Sequence, residues 1–250
     1  MNDLQVALEL YTVRDETRHD FAGTLQRVAQ IGYAGVEFSG YGNLNAEAMS
    51  ALLAETRLKA VGTHLGLDGL EGPQLDASIR YCKDIGCAFI VLPSLPKTYR
   101  NLEGIKVLAP RLDAIGRQCR EHGITFAYHN HDFEFTRVDA ISLIDYLLQL
   151  TDPSLVKIEL DVYWVAYAGV DPVLYLQALA DRVVLVHLKD MAADRSITEV
   201  GKGILDMQHI CAFVRERGLW GIVEHDHPHI PSLESAKISI EYFNMRAFED

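Results

Sequence analysis

Ile124-Thr125-Phe126-Ala127-Tyr128-His129-Asn130-His131 and, further along, Val156-Lys157-Ile158-Glu159-Leu160-Asp161 are the runs that decide the fold. Each alternates a large apolar residue with a smaller or polar one, and in a β-strand residues i and i+2 share a face. Ile124, Phe126 and Tyr128 form one face, suited to packing under helices. Thr125, Ala127, His129 and His131 form the other. In the second run Val156, Ile158 and Leu160 face one way, and Lys157, Glu159 and Asp161 the other. Two later runs repeat the pattern. Val184, Val186 and Leu188 oppose Leu185, His187 and Lys189, and Val223 opposes Ile222, Glu224 and Asp226.

Strand-like runs recur along the chain at Gln5–Leu10, Gly35–Phe38, Lys59–His64, Phe89–Leu92, Ile124–His129, Val156–Asp161, Val183–Leu188 and Gly221–Glu224. Between them lie stretches with apolar residues every three or four positions, the mark of amphipathic helices. They are Phe21–Ile31, Ala46–Thr56, Leu75–Ile85, Ile105–His122, Ile141–Leu150, Pro172–Leu179, Met207–Arg217 and Leu233–Phe243. Strand–helix alternation implies a parallel sheet with helical crossovers. Eight such units in 250 residues, with no break in composition, predict an α/β fold: one (β/α)8 TIM barrel over residues 1–250. An open doubly wound sheet is the alternative, but no Gly-rich phosphate turn follows the first strand.

In a closed barrel the polar faces point inward. Glu9, Glu37 and His64 then join His129, Asp161, His187 and Glu224 near the C-terminal strand ends, where active sites of this fold sit. Small residues expected to point inward (Ala7, Gly35, Ala60, Gly62 and Ala127) leave room for them. Burying unpaired carboxylates is costly, so a converging Glu/Asp/His set needs a cation or strong hydrogen-bond partners. His129, Asp161, His187 and Glu224 are the candidate ligands of one divalent metal ion. Two imidazoles and two carboxylates suit Mn²⁺ foremost, with Co²⁺, Zn²⁺ or Mg²⁺ as alternatives. Taken singly, each residue has a plainer reading: a hydrogen-bonded core histidine, or a helix-capping acid.

The 49% hydrophobic and 23% charged residues are those of an ordinary soluble domain. A formal charge of −12 repels phosphate backbones and argues against nucleic acid as a partner. No apolar stretch nears the roughly 18 residues needed to span a bilayer, so no membrane role is expected. Met1-Asn2-Asp3-Leu4 does not open a signal peptide. Cys82, Cys87, Cys119 and Cys211 have neither zinc spacing nor disulfide density, which suits a reduced cytoplasmic protein. The expected partner is a small sugar, with a homo-oligomer left open.

The motifs Tyr128-His129-Asn130-His131-Asp132-Phe133-Glu134-Phe135, Glu159-Leu160-Asp161-Val162-Tyr163-Trp164, His187-Leu188-Lys189-Asp190, Gly201-Lys202-Gly203-Ile204-Leu205-Asp206 and Glu224-His225-Asp226 together resemble the sugar phosphate isomerase/epimerase group of the xylose isomerase-like barrels (the AP endonuclease 2 superfamily). Leu8–Arg14 and Gly35–Phe38 add weaker matches. The superfamily also holds inosose dehydratases, ketose 3-epimerases, 3-keto-glycoside lyases or hydrolases and an apurinic endonuclease. The resemblance implies a metal-dependent isomerase or epimerase of a keto-sugar, with a lyase or dehydratase as the alternative and a sugar binder without turnover as a third reading. In the epimerases the ligands are Glu, Asp, His and Glu, and the two glutamates act as an acid/base pair. Here His129 stands at the first position, which breaks that pair unless Glu159 restores it. Trp164, where the trinuclear endonuclease has a histidine, argues against a zinc cluster.

A metal that polarises a carbonyl makes the adjacent proton easier to remove, and a carboxylate or imidazole then moves it. Glu224 or Glu159 is the expected base, and His131 or His64 the acid. Lys189 would polarise an oxygen or pair with Asp190 or Glu159. Trp164 and Phe133 would stack on a sugar face or pack the rim. Glu9 and Glu37 would hold hydroxyls or form a floor salt bridge with Arg14 or Lys157. His225, His227 and His229 read as a solvent-facing loop, with an extension of the metal site as the alternative, and Gly201-Lys202-Gly203 as a tight loop over the site.

Overall fold

The computed structural model describes residues 4–245, so the reading of Met1–Asp3 and the ends of the 1–250 domain lie outside the described residues. Eight parallel strands close into a barrel: β1 (Gln5–Glu9), β2 (Gly35–Phe38), β3 (Lys59–His64), β4 (Phe89–Leu92), β5 (Thr125–His129), β6 (Lys157–Asp161), β7 (Val183–Leu188) and β8 (Trp220–Val223). Neighbours follow chain order, and β1 pairs with β8 to complete the ring. The expected (β/α)8 TIM barrel is therefore the architecture.

The connecting helices begin where side-chain oxygens satisfy free backbone N–H groups. Asp20 accepts from Gly23, Asn45 from Ala48, Asn101 from Gly104, and Ser142 from Asp145. These caps explain two differences from the periodicity. Asn101 starts its helix at Leu102 rather than Ile105, and Ser142 delays the next to Leu143. Ile141–Ser142 instead pairs with Arg137–Val138 in a short hairpin. Two short helices, Arg14–His19 and Val162–Tyr167, were not expected from the pattern. No helix among the described residues is long and apolar enough to cross a membrane, and the four cysteines are buried thiols.

Leu8, Phe38, Phe126, Tyr128, Ile158 and Leu188 fill the shell between strands and helices. Inside the barrel a separate apolar layer is made of Ala7, Val61, Val91, Ala127, Leu185 and Ile222, with Phe89, Val184 and Trp220 packed against it. Two expected orientations are corrected here. Register shifts occur between β2 and β3, where Val36 pairs with Ala60 but Glu37 with Gly62, and between β6 and β7, where Ile158 pairs with Val183 but Glu159 with Leu185. Each inserts one residue and flips the alternation locally. Ala60 therefore packs in the outer shell while Val61 points inward, and Val184 packs against the interior layer.

Candidate active site

Above the apolar layer, each of several strands places a polar side chain two residues beyond its interior apolar one: Glu9 after Ala7, His129 after Ala127, His187 after Leu185, and Glu224 after Ile222. Glu9, Glu37, Glu159, Asp161 and His187 are fully buried, and His129 and Glu224 nearly so. The bulge in β3 lets Glu37 lean over Gly62, where a Cβ would lie 2.2 Å from Glu37 Oε1. Only glycine permits that approach.

Imidazoles and carboxylates interleave tightly. Glu159 Oε2 lies 2.8 Å from His64 Nε2, 3.0 Å from His129 Nδ1 and 3.2 Å from His187 Nε2. His187 Nε2 also meets Glu37 Oε2 at 2.8 Å, and its Nδ1 meets Glu224 Oε2 at 3.0 Å. Burial by itself would push the His187 and His64 imidazoles down, but the surrounding glutamates outweigh it and hold both well above the usual histidine range. Burial likewise works to raise Glu159 and Glu224, yet His187 and His64 for the first, and Lys189 and His187 for the second, bring them well below the usual carboxylate range. His129 is pushed down to about 3 by burial and by the neighbouring His187, and is neutral near pH 7.

Lys189 is buried among acids. Its Nζ lies 2.7 Å from Glu224 Oε2, 3.0 Å from Asp161 Oδ2 and 3.2 Å from Asp226 Oδ2. These acids hold its ammonium well above the usual range against the opposing effect of burial. The expected pairing with Asp190 or Glu159 is thus replaced. Asp190 instead accepts backbone N–H groups of Met191, Gly201, Gly203 and Leu205, which fixes the loop beyond β7. Gly201 packs against Tyr242, and the Gly201–Gly203 turn does not border the cavity described next. Arg14 donates to the Asp226 carbonyl and Lys157 to the Asp181 carbonyl, so neither forms the expected salt bridge with Glu9 or Glu37.

A cavity of about 790 Å³ opens over this network. His64, His129, His131, Lys189, Glu224 and Trp164 are on its wall. So are His225, His227 and His229; His225 is buried, while His227 and His229 are exposed as well as bordering the cavity. Glu9, Glu37, Glu159, Asp161 and His187 lie beneath the wall, and Phe133 sits off it, 3.8 Å below the Arg100 guanidinium. His131 packs 5.4 Å from the Trp164 ring, its Nδ1 has no hydrogen-bond partner, and burial with the nearby Lys189 lowers it to about 4.

His129, Asp161, His187 and Glu224 each offer one ligand atom within 4.8 Å of the others. Asp161 Oδ2 is buried and has only the Lys189 ammonium as an ionic neighbour, while Oδ1 caps the following helix by accepting from Tyr163 and Trp164. The donor set therefore fits a borderline divalent ion. A second set, His64, His129, Glu159 and His187, meets the same distance test but shares two members with the first. Two positioning residues went unrecognised in the sequence. Asn130 bridges β5 and β6 through Asp161 N and O. Glu134 accepts from His131 N and from Tyr128 Oη, and burial raises it to about 7. An Asn and a Glu flanking the strand-end histidines were the available signal.

The description "xylose isomerase-like TIM barrel" matches residues 25–245. The chain belongs to that family. Among its relatives, this xylose isomerase-like barrel is 27% identical over 192 residues to an inosose dehydratase of Geobacillus kaustophilus, covering 68% of this chain and 62% of that enzyme. It is 32% identical over 148 residues to an inosose dehydratase of Clostridium beijerinckii, covering 51% and 49%. The barrel thus spans about half to just under two thirds of these curated relatives. A solved sugar phosphate isomerase/epimerase of Parabacteroides distasonis superposes with a TM-score of 0.82 at 24% identity, over 100% of this chain and 96% of that one. That likeness speaks to the fold.

Proposed function

We propose that the chain is a metal-dependent lyase that removes water from an uncharged keto-polyol or keto-sugar. The observation that carries this reading is the asymmetry of the cavity wall. Its carboxylates, Glu224 and Asp226, both come from the end of β8, whereas β3 and β5 present imidazoles: His64, His129 and His131. An epimerase works best with like groups on opposite faces of one carbon. An elimination needs one base and one acid of different kinds.

His129, Asp161, His187 and Glu224 would hold the ion, which when bound supplies Lewis-acid polarisation of a carbonyl. Glu224 takes the proton next to the carbonyl. His131 borders the cavity and, neutral near pH 7, can hand its ring proton to a leaving hydroxyl as it takes up the proton that Glu224 has removed. The C–H and C–O bonds break, a C=C bond forms, and one water leaves. Trp164 offers an apolar face to the ring, and Lys189 holds Glu224 in place. Glu159, beneath the wall, positions His64, His129 and His187 rather than touching substrate. The inosose dehydratase relatives support the same reaction class. The isomerase or epimerase expected from the motifs is the second reading, because Glu224 and His131 could also exchange one proton at a single carbon.

Incubating the Mn²⁺-loaded protein with inosose and a panel of keto-sugars separates the two. A product lighter by one water and absorbing in the near ultraviolet is expected. An isomer of unchanged mass, with solvent deuterium incorporated, would establish the second reading instead. If no substrate turns over and Mn²⁺, Co²⁺ and Zn²⁺ give no thermal stabilisation, both readings fail.

A further inference from the structure

The ends of β1, β2 and β3 carry an acidic group that the proposed reaction does not use. Glu9 and Glu37 are fully buried, lie beneath the cavity wall, and stand with His64 so that one ligand atom of each lies within 4.8 Å of the other two. This set shares no residue with His129, Asp161, His187 and Glu224. Glu9 Oε1 accepts from Tyr11 N at 2.9 Å, but Glu9 Oε2 and Glu37 Oε1 are buried with no hydrogen-bond partner. Leaving one such oxygen unmatched is costly, and two in neighbouring side chains compound the cost.

The charge balance sharpens the point, and here the inference rests on the metal site proposed above. Lys189 and an outer ion together answer Asp161, Glu224 and Asp226. Glu37 and Glu159 share the single His187 Nε2 edge, at 2.8 and 3.2 Å, and burial holds the Glu9 carboxyl well above the usual carboxylate range, so an inner ion would displace its proton.

We propose that Glu9, Glu37 and His64 form a second, inner divalent-cation site on the β1–β3 side of the barrel. Two carboxylates and one imidazole suit Mn²⁺ or a similar hard-to-borderline ion. Because Glu9 and Glu37 do not border the cavity, this ion is structural and electrostatic. It neutralises the barrel floor and anchors His64, which does border the cavity.

The test is a stoichiometry on the tag-free full chain, stripped with chelator and brought to equilibrium dialysis against saturating MnCl2. Wild type should hold two ions per chain. Glu9→Gln, which keeps an acceptor for Tyr11 N, should hold one. Asp161→Asn should also hold one, and the double variant none. Mn²⁺ should still raise the melting temperature of Asp161→Asn but not of the double variant. A count in Glu9→Gln equal to that of wild type, whether one or two, overturns the inner site. Should Glu9→Gln fail to fold, Glu37→Gln is read the same way. If Asp161→Asn keeps two ions while Glu9→Gln loses one, the inner site stands and the outer one falls.

Discussion

The lower and upper halves of the barrel interior are built from the same strands, two residues apart, yet they do opposite things. Ala7, Ala127, Leu185 and Ile222 pack an apolar layer that needs no partner beyond its neighbours. Glu9, His129, His187 and Glu224, one pleat higher, form a network in which every member depends on the charge of another. The lower layer stabilises the fold through burial. The upper layer concentrates charge that the fold must compensate, which is how a site acquires reactivity. Substitutions in the two layers should therefore separate activity from stability.

The largest effect belongs to the upper layer. Asp161→Asn keeps the Oδ1 acceptor that caps Val162–Tyr167 but removes an anionic donor from the ligand set. Its kcat/KM should fall on the order of 10²–10⁴-fold, with circular dichroism unchanged. Full activity with full metal content would break the proposed site. One layer down, Leu185→Ala should cost about 2–5 kcal/mol of stability through the cavity it leaves. At roughly 2–4 °C per kcal/mol for a domain of this size, calorimetry resolves that readily. Metal content and kcat of the folded fraction should stay at wild-type values. A Leu185→Ala protein that unfolds normally but loses its metal would mean that the two layers are not separable.

How much of this division was legible in the sequence depends on the strand. In β5 the uninterrupted alternation of Ile124, Phe126 and Tyr128 with Ala127 and His129 gave the correct faces. In β3 and β7 it did not, because a bulge is a property of two paired strands and leaves no mark on the alternation of either one. Ala60 and Val184 were misplaced for that reason, while His64 and His187, beyond the bulges, still fell on the inner face. The convergence of His129, Asp161, His187 and Glu224 could be anticipated because all four sit at strand ends of one closed ring. The partners of Lys189 could not, since Asp161, Glu224 and Asp226 reach it from two other strands. Nor could the depth of Glu9 and Glu37, because parity gives the direction of a side chain but not whether a neighbour covers it.

Glu134 marks a third kind of region, beside the network but outside it. Burial raises its carboxyl to about 7, so from about pH 4.5 upward the folded state keeps a proton that the unfolded chain has lost. Its contribution to stability is present in acid and is lost as pH rises through 7, by about 3 kcal/mol in total. Glu134→Gln can still accept from His131 N while its amide donates to Tyr128 Oη, so the fold should tolerate it. The variant should gain stability relative to wild type between pH 5 and 8, as read from urea midpoints. Parallel pH curves for the two proteins would show that Glu134 titrates normally.

Glu159→Gln gives the smallest expected effect and the finest test of how the upper layer works. The carboxylate orients three imidazoles at once, and losing such a supporting partner typically weakens metal binding about 10–100-fold. It also raises the affinity of His187 for a proton, and that proton must leave before the nitrogen can ligate. The two consequences oppose each other, and pH decides between them. As pH rises His187 loses its proton in both proteins, so the lost orientation counts for more and the weakening should grow. In mildly acidic solution the wild type must expel a proton that the variant holds less firmly, so the gap between them should narrow. Titration calorimetry with Mn²⁺ at pH 6 and 8.5, in two buffers of different ionisation enthalpy, measures both the affinity and the protons released. Fewer protons released by the variant at pH 6, together with the larger affinity loss at pH 8.5, is the expected pair. Equal affinities at pH 8.5 would mean that Glu159 balances charge without orienting the ligands.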